Sequence, residues 1–253
     1  MDFRIISERI ARQNPLDFGS IFNRSIELFK EVWVQGFIVL LLNILIGTIL
    51  YLLVYVPIFG MAITTPEAFE GEAPPIFLII TMIIYVPFLI LGTLVVSLAL
   101  NAAFLRICSL KDLKKGDTEN YFFYLKKPYL GKMVKLALMM LALIFLGMLA
   151  CGIGVIYVSV PLSLIPAFLA FNEKLSASEI IKASFALGNK NWFVIFALLL
   201  VMGLIAELGI ILCCVGIFFT AMLSKIPVYF MYKDGIGSNE NEQIDSVNVF
   251  SNQ

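Results

Sequence analysis

The chain has 253 residues, of which 60% are hydrophobic and only 14% charged, with a mean hydropathy of +0.96. Soluble domains run at roughly 45–50% apolar and about 25% charged, so the apolar surplus must face lipid. Zero formal net charge gives no global pull toward nucleic acid, and the complete lack of histidine removes imidazole acid–base chemistry, Ser-His and Cys-His pairs, and the usual zinc and iron ligands.

In chain order, the first segment is MDFRIISERIARQNPLDF. It mixes Arg4, Arg9 and Arg12 with Asp2, Glu8 and Asp17 and lacks the early apolar stretch of a signal peptide, so it reads as a cytoplasmic lead-in. Phe18, Ile21, Phe22, Ile26 and Phe29 then recur at helical spacing, opposite Asp17, Asn23, Arg24, Glu27, Lys30 and Glu31. That pattern predicts an amphipathic helix lying in the headgroup plane.

No Lys or Arg occurs between Lys30 and Arg106. Two apolar runs, 33–57 and 76–105, fill that interval, and each exceeds the roughly 20 residues needed to cross a bilayer. An acidic, proline-bearing loop with Glu67, Glu70 and Glu72 joins them. A basic connector follows, in which Lys114, Lys115, Lys126 and Lys127 alternate with Tyr121, Phe122, Phe123 and Tyr124. Beside a membrane this pattern points to anionic headgroups rather than to nucleic acid.

The uncharged stretch from Leu136 to Asn172 is too long for one pass, and a turn near Cys151–Gly154 splits it into spans 134–152 and 155–172. After a second mixed connector come spans 191–211 and 214–232, with a turn near Ile211–Gly216. Residues 234–253 read as a polar, disordered tail behind a single transmembrane domain over 1–233.

Backbone groups in hydrocarbon must bond internally, and no alternating strand period is present, so the fold class is all-α: a polytopic bundle of six transmembrane helices. All 18 Lys and Arg lie in the lead-in, the two basic connectors, or the inner part of the last helix. The predicted outer loops hold none, which places both termini on the cytoplasmic side of an inner membrane.

Self-similarity organises the six spans. LGMLACGIG (146–154) matches LGIILCCVG (208–216) at an offset of 62, and IFNRSIELFKEVW (21–33) lies over IIKASFALGNKNW (180–192) with Ser25/Ser184, Leu28/Leu187 and Trp33/Trp192 in register. YFFYLKKPYL (121–130) occupies the equivalent place in the middle unit. The expectation is three hairpins of the same sense, each preceded by an interfacial amphipathic helix, with Trp33 and Trp192 as interfacial anchors.

Few residues are able to carry chemistry. Glu207 is the sole carboxylate inside an apolar run, and Lys225 lies inside the inner end of the last helix. Intramembrane ionisable groups are functional candidates by default, although a turn-proximal role for Glu207 and snorkelling of Lys225 account for them too. Asn43 and Asn101 complete the candidate intramembrane polar site. Ser97, Ser159, Ser163, Thr220 and Ser224 read as donors between helices. Cys151 and Cys213 occupy equivalent places and either pair or simply pack. No catalytic motif such as HExxH or GxSxG, no metal-ligand spacing and no cofactor motif is present, and the expectation is a non-enzyme.

The order of a serine-containing amphipathic segment, Asn191-Trp192, an apolar helix, a Cys214-Val215-Gly216-Ile217 turn and a terminal Ile226-Pro227 helix resembles a broad group of bacterial membrane domains. Among them is the membrane domain that precedes some glycerophosphodiester phosphodiesterases. The resemblance implies six helices in a bacterial inner membrane without an assigned activity, and no functional residue transfers from it. Two functions follow as expectations. One is a non-catalytic scaffold or accessory acting on lipids or a membrane protein partner; the other is a transporter or channel for a small or lipidic solute.

Overall fold

The computed structural model describes residues 2–64, 76–114, 120–150, 152–212 and 216–237. Helices α1 (Phe3–Arg12), α2 (Phe18–Thr64), α3 (Ile76–Asp112), α4 (Lys127–Leu149), α5 (Ile153–Phe171), α6 (Ala177–Lys190), α7 (Trp192–Leu212), α8 (Gly216–Thr220) and α9 (Ile226–Ile236) account for nearly all of them. No strand occurs among the described residues. Five helices, α2, α3, α4, α5 and α7, are long and apolar enough to cross a bilayer, so the chain fits an all-α, multi-pass membrane protein.

The centre of the molecule is formed by one half of each of three helices. α3 from Leu98 to Leu110, α5 from Val160 to Phe171 and α9 from Ile226 to Tyr232 are buried on nearly every side. Around them sit α1, the start of α2, the start of α4, and α6. Most exposed positions of this outer layer are polar, Ile5 and Leu130 apart: Arg4, Glu8 and Arg12 on α1, Asn23, Glu27 and Glu31 on α2, Lys127 and Lys135 on α4, Lys182 on α6. Beyond Trp33, Leu138 and Trp192 the exposed side chains are mostly apolar instead, among them Leu45, Leu53, Phe59, Ile83, Phe88, Phe145, Phe193 and Leu204. One end of the bundle is therefore dressed for water, and the other for hydrocarbon. This division explains the length of α2: its 47 residues span ~70 Å, more than twice a hydrocarbon core.

Several expectations are corrected. The amphipathic segment at 18–30 is no separate interfacial helix but the first part of α2; of its apolar side Ile21 is buried, and Phe18, Phe22, Ile26 and Phe29 pack partly buried against the core. The middle segment is a short 3₁₀ turn, Phe123–Leu125, running into α4. Only α6 is a distinct helix, and it buries Ile180, Ala183, Ser184 and Leu187 in the bundle. The lead-in forms a helix of its own, α1, with Ile6 and Ile10 buried. An apolar stripe gains as much from protein as from lipid, and here protein covers it. The span at 214–232 is not one helix: it is divided into α8, a 3₁₀ segment (Ala221–Lys225) and α9. α9 runs on to Ile236, so the first residues assigned to the tail are helical. The acidic loop at 65–75, Cys151, Cys213, Cys214 and residues 238–253 lie outside the described residues.

The polar end is tied together by specific bonds. Lys190 Nζ donates to the carbonyls of Ile10 (2.5 Å), Ala11 (3.1 Å) and Gln13 (2.5 Å), supplying a cation to the C-terminal turn of α1. Asn191 Oδ1 accepts from Leu16 N at 3.0 Å. Trp192 Nε1 donates to the Tyr157 carbonyl at 3.1 Å while its ring stacks on Phe196. α6 begins with a capping box in which Ser176 and Glu179 satisfy each other's backbone N–H groups.

At the far end, both hairpin turns close through glycine. A Cβ on Gly147 would lie 3.0 Å from the backbone of Gly154, and one on Gly209 would lie 2.9 Å from the carbonyl of Gly216. Side chains here would force the paired helices apart. Gly154→Val is expected to destabilise the protein by on the order of 2 kcal/mol through overpacking, read as a lower melting temperature in detergent. Gly203, which has open space around it, is expected to tolerate Ala without loss in the same assay.

Ser176 holds the Glu179 carboxyl below its ordinary value of 4.5, first through the hydroxyl and then through the backbone N–H. A depressed folded pKa contributes stability that is complete above the unfolded value and is lost as pH falls through the folded one. The melting-temperature gap between wild type and Glu179→Gln should thus be constant from about pH 8 to about pH 5 and close below 4.5. A gap that widens in acid would contradict the cap.

Candidate ligand-binding cavity

The break in the last segment follows from its residues. Pro227 has no N–H, so the carbonyl of Leu223 loses its α-helical donor and the preceding turn tightens to 3₁₀ geometry. Hydroxyls brace the irregular stretch: Ser224 Oγ donates to Ala221 O at 3.0 Å, and Thr220 Oγ1 donates across to Ala206 O of α7 at 2.6 Å. Gly36 of α2 lets this irregular backbone approach closely, since a Cβ there would meet Met222 at 2.8 Å.

Beside the 3₁₀ segment, α3, α4, α5 and α7 leave a cavity of about 360 Å³. Its polar lining consists of Ser97 and Asn101 from α3, Ser159 and Ser163 from α5, and Lys225. Apolar residues such as Ile144, Val155, Leu162 and Leu199 supply the rest. The Lys225 side chain is exposed through the open side of the cavity. No hydrogen bond or ion pair reaches it among the described residues, and no carboxylate lines the cavity. Asn101 Nδ2 donates to Ser97 Oγ at 3.2 Å, while its buried Oδ1 accepts from no group. Ser159 and Ser163 each donate to a backbone carbonyl three residues back, at 2.7 Å, which leaves their oxygens as acceptors.

Of the four predicted site residues, the structure brings Asn101 and Lys225 together and leaves two outside. Asn43 spends its amide on the Val39 carbonyl of its own helix at 2.9 Å. Glu207 is exposed on α7, eight residues past Leu199 and so ~12 Å farther along the helix. Ser97, Ser159 and Ser163 had read only as packing donors, yet they line the cavity. A signal for Lys225 was present in the sequence. Ser224-Lys225-Ile226-Pro227 repeats Ser163-Leu164-Ile165-Pro166 of α5 in three of four positions, and Leu164 is fully buried. Lys225 is exposed, so the same motif presents a charge where α5 buries a leucine.

α9 holds Lys225 in place from its far end. Asp112 Oδ2 accepts from Tyr229 Oη at 2.7 Å and from Lys233 Nζ at 2.6 Å, while Asp234 pairs with Arg24, whose guanidinium lies 4.7 Å from the Phe230 ring centre. Comparison with protein families, curated proteins and solved structures finds no match. Function is therefore argued from this cavity alone. Asp112→Ala removes the shared acceptor of two partly buried donors. It is expected to destabilise the protein by about 2 kcal/mol, measured by thermal unfolding in detergent.

Proposed function

We propose that this protein binds and moves a small or lipidic solute through the cavity beside Lys225, as a transporter or channel of a bacterial inner membrane. One observation carries the reading: a lysine with no hydrogen bond or ion pair among the described residues shares a cavity with an asparagine and three serines, beside a broken helix. Irregular backbone at membrane depth is tolerated where it is buried in protein or lines a cavity, and ionisable residues there mark substrate or ion pathways. Transporters place such discontinuous helices at their binding sites.

The topology that accompanies this reading has six spans, with α8, the 3₁₀ segment and α9 together forming the sixth. Both termini are cytoplasmic, as the Lys/Arg distribution requires, and the polar-surfaced end of the bundle sits on that side. Exposed Lys127 and Lys135 then lie beside anionic headgroups. A scaffold working through half-submerged helices has less support, because protein already covers the apolar side of α6, the one such segment that is a helix of its own.

Extraction into native-lipid nanodiscs followed by mass spectrometry of bound lipids and metabolites tests the reading. A stoichiometric non-protein ligand is expected in wild type and depleted in Ser159→Trp, which fills the cavity. Absence of such a ligand, with a partner protein co-purifying instead, would move the assignment to a scaffold. A green fluorescent protein fused after Gly237 is expected to fluoresce and alkaline phosphatase fused there to be inactive; the opposite pattern overturns the orientation.

A further inference from the structure

Resting on the reading of the cavity as a solute site, we infer that its ligand is an anionic amphiphile, with an acidic head at Lys225 and an acyl chain along the apolar lining.

The charge argument comes first. Among the described residues Lys225 is a cation without a counterion, and Asp112 and Asp234 are committed elsewhere, the first to Lys233 and Tyr229, the second to Arg24. Glu207 stands ~12 Å farther along α7. Snorkelling does not relieve the charge: a four-carbon stem reaches roughly 6 Å, whereas Lys233, at the polar end, is eight residues and ~12 Å away along α9. An ammonium in a chamber whose other lining residues are all uncharged is stabilised by an anion that enters with it.

The remaining polar groups refine the head. The two serine oxygens of α5 are acceptors, so a ligand that satisfies them brings a hydroxyl donor as well as a negative oxygen. A phosphate monoester or a glycerophosphate head has both.

Depth and lining decide for an amphiphile over an aqueous anion. Ten of the fifteen lining residues are apolar. Measured from the edge of the apolar belt, Leu199 lies seven residues past Trp192 and Met140 five past Lys135, so the cavity begins ~8–10 Å inside it. An inorganic anion must leave water to arrive there, while a lipid of the same leaflet comes with its chain already in hydrocarbon. The volume of about 360 Å³ is near the low end of ligand pockets, roughly 300–1,000 Å³. It accommodates a head and the upper part of one chain.

The test uses the full chain in phosphatidylcholine nanodiscs and native mass spectrometry. It is titrated with oleoyl lysophosphatidic acid, with monoolein as the neutral analogue of the same chain, and with inorganic phosphate. Lysophosphatidic acid is expected to bind one per protein and at least about tenfold more tightly than monoolein. Lys225→Met should bring it to the monoolein level with the melting temperature unchanged. Lys225→Arg should restore most of the preference, and Glu207→Gln, outside the cavity, should leave it intact. Equal binding of the charged and neutral lipids in wild type would overturn the anionic assignment while leaving a solute site standing. Displacement of lysophosphatidic acid by phosphate at equal concentration would overturn the amphiphile and make this an aqueous anion site. If no added lipid binds and no endogenous ligand co-purifies, the solute site itself fails, and this inference with it.

Discussion

Pro227 withholds one N–H from the backbone of the last segment, and much of the molecule is arranged around the consequence. In hydrocarbon an unsatisfied carbonyl costs several kcal/mol, so the 3₁₀ stretch at Ala221–Lys225 persists only because its neighbours enclose it. Ser224 bonds the Ala221 carbonyl within it, Thr220 ties α8 to the Ala206 carbonyl of α7, Gly36 lets α2 close over Met222, and α9 beyond the break is buried in the centre of the bundle. The break leaves Lys225 facing a cavity instead of a helix neighbour.

Such a break needs a rigid frame on both sides. Toward the polar end, Asp112 and Arg24 grip α9 through Lys233, Tyr229 and Asp234, with Phe171 and Tyr232 stacked beside them. Toward the apolar end, the glycine contact between Gly209 and Gly216 holds α7 against α8. The 3₁₀ segment, with Lys225 at its end, lies between these two clamps. The irregular backbone and the unpaired charge fall at the same place, which is why the cavity and not the helix surfaces is the functional centre of this reading.

The surface of the bundle changes character over a short distance. Trp33 and Trp192 are each followed by exposed apolar side chains and preceded by exposed charge. Their indole groups suit the boundary between a wet and a dry environment. The polar end has a packed core of its own, with α1 and α6 fastened through Lys190 and Asn191. The helices therefore enter the apolar region from a fixed base.

Run lengths, the confinement of Lys and Arg to particular segments, and the glycines at the turns were enough to point to an all-helical membrane protein. The reason is that hydrocarbon allows the backbone a single local solution, and that solution is written in composition. Hydropathy cannot distinguish an apolar stripe that meets lipid from one that meets protein, since both remove the same surface from water. The stripes at Ile21–Leu28 and Ile180–Leu187 therefore turned out to face the bundle. Nor does sequence order reveal which polar side chains share a space. Asn101 and Lys225 lie on helices far apart in the chain, while Asn43 and Glu207, equally conspicuous as polar residues in apolar runs, point elsewhere. Only the crossing of α3, α5 and the broken last segment brought the lysine, the amide and the serines to one cavity, because that placement depends on how whole helices pack and not on any local pattern.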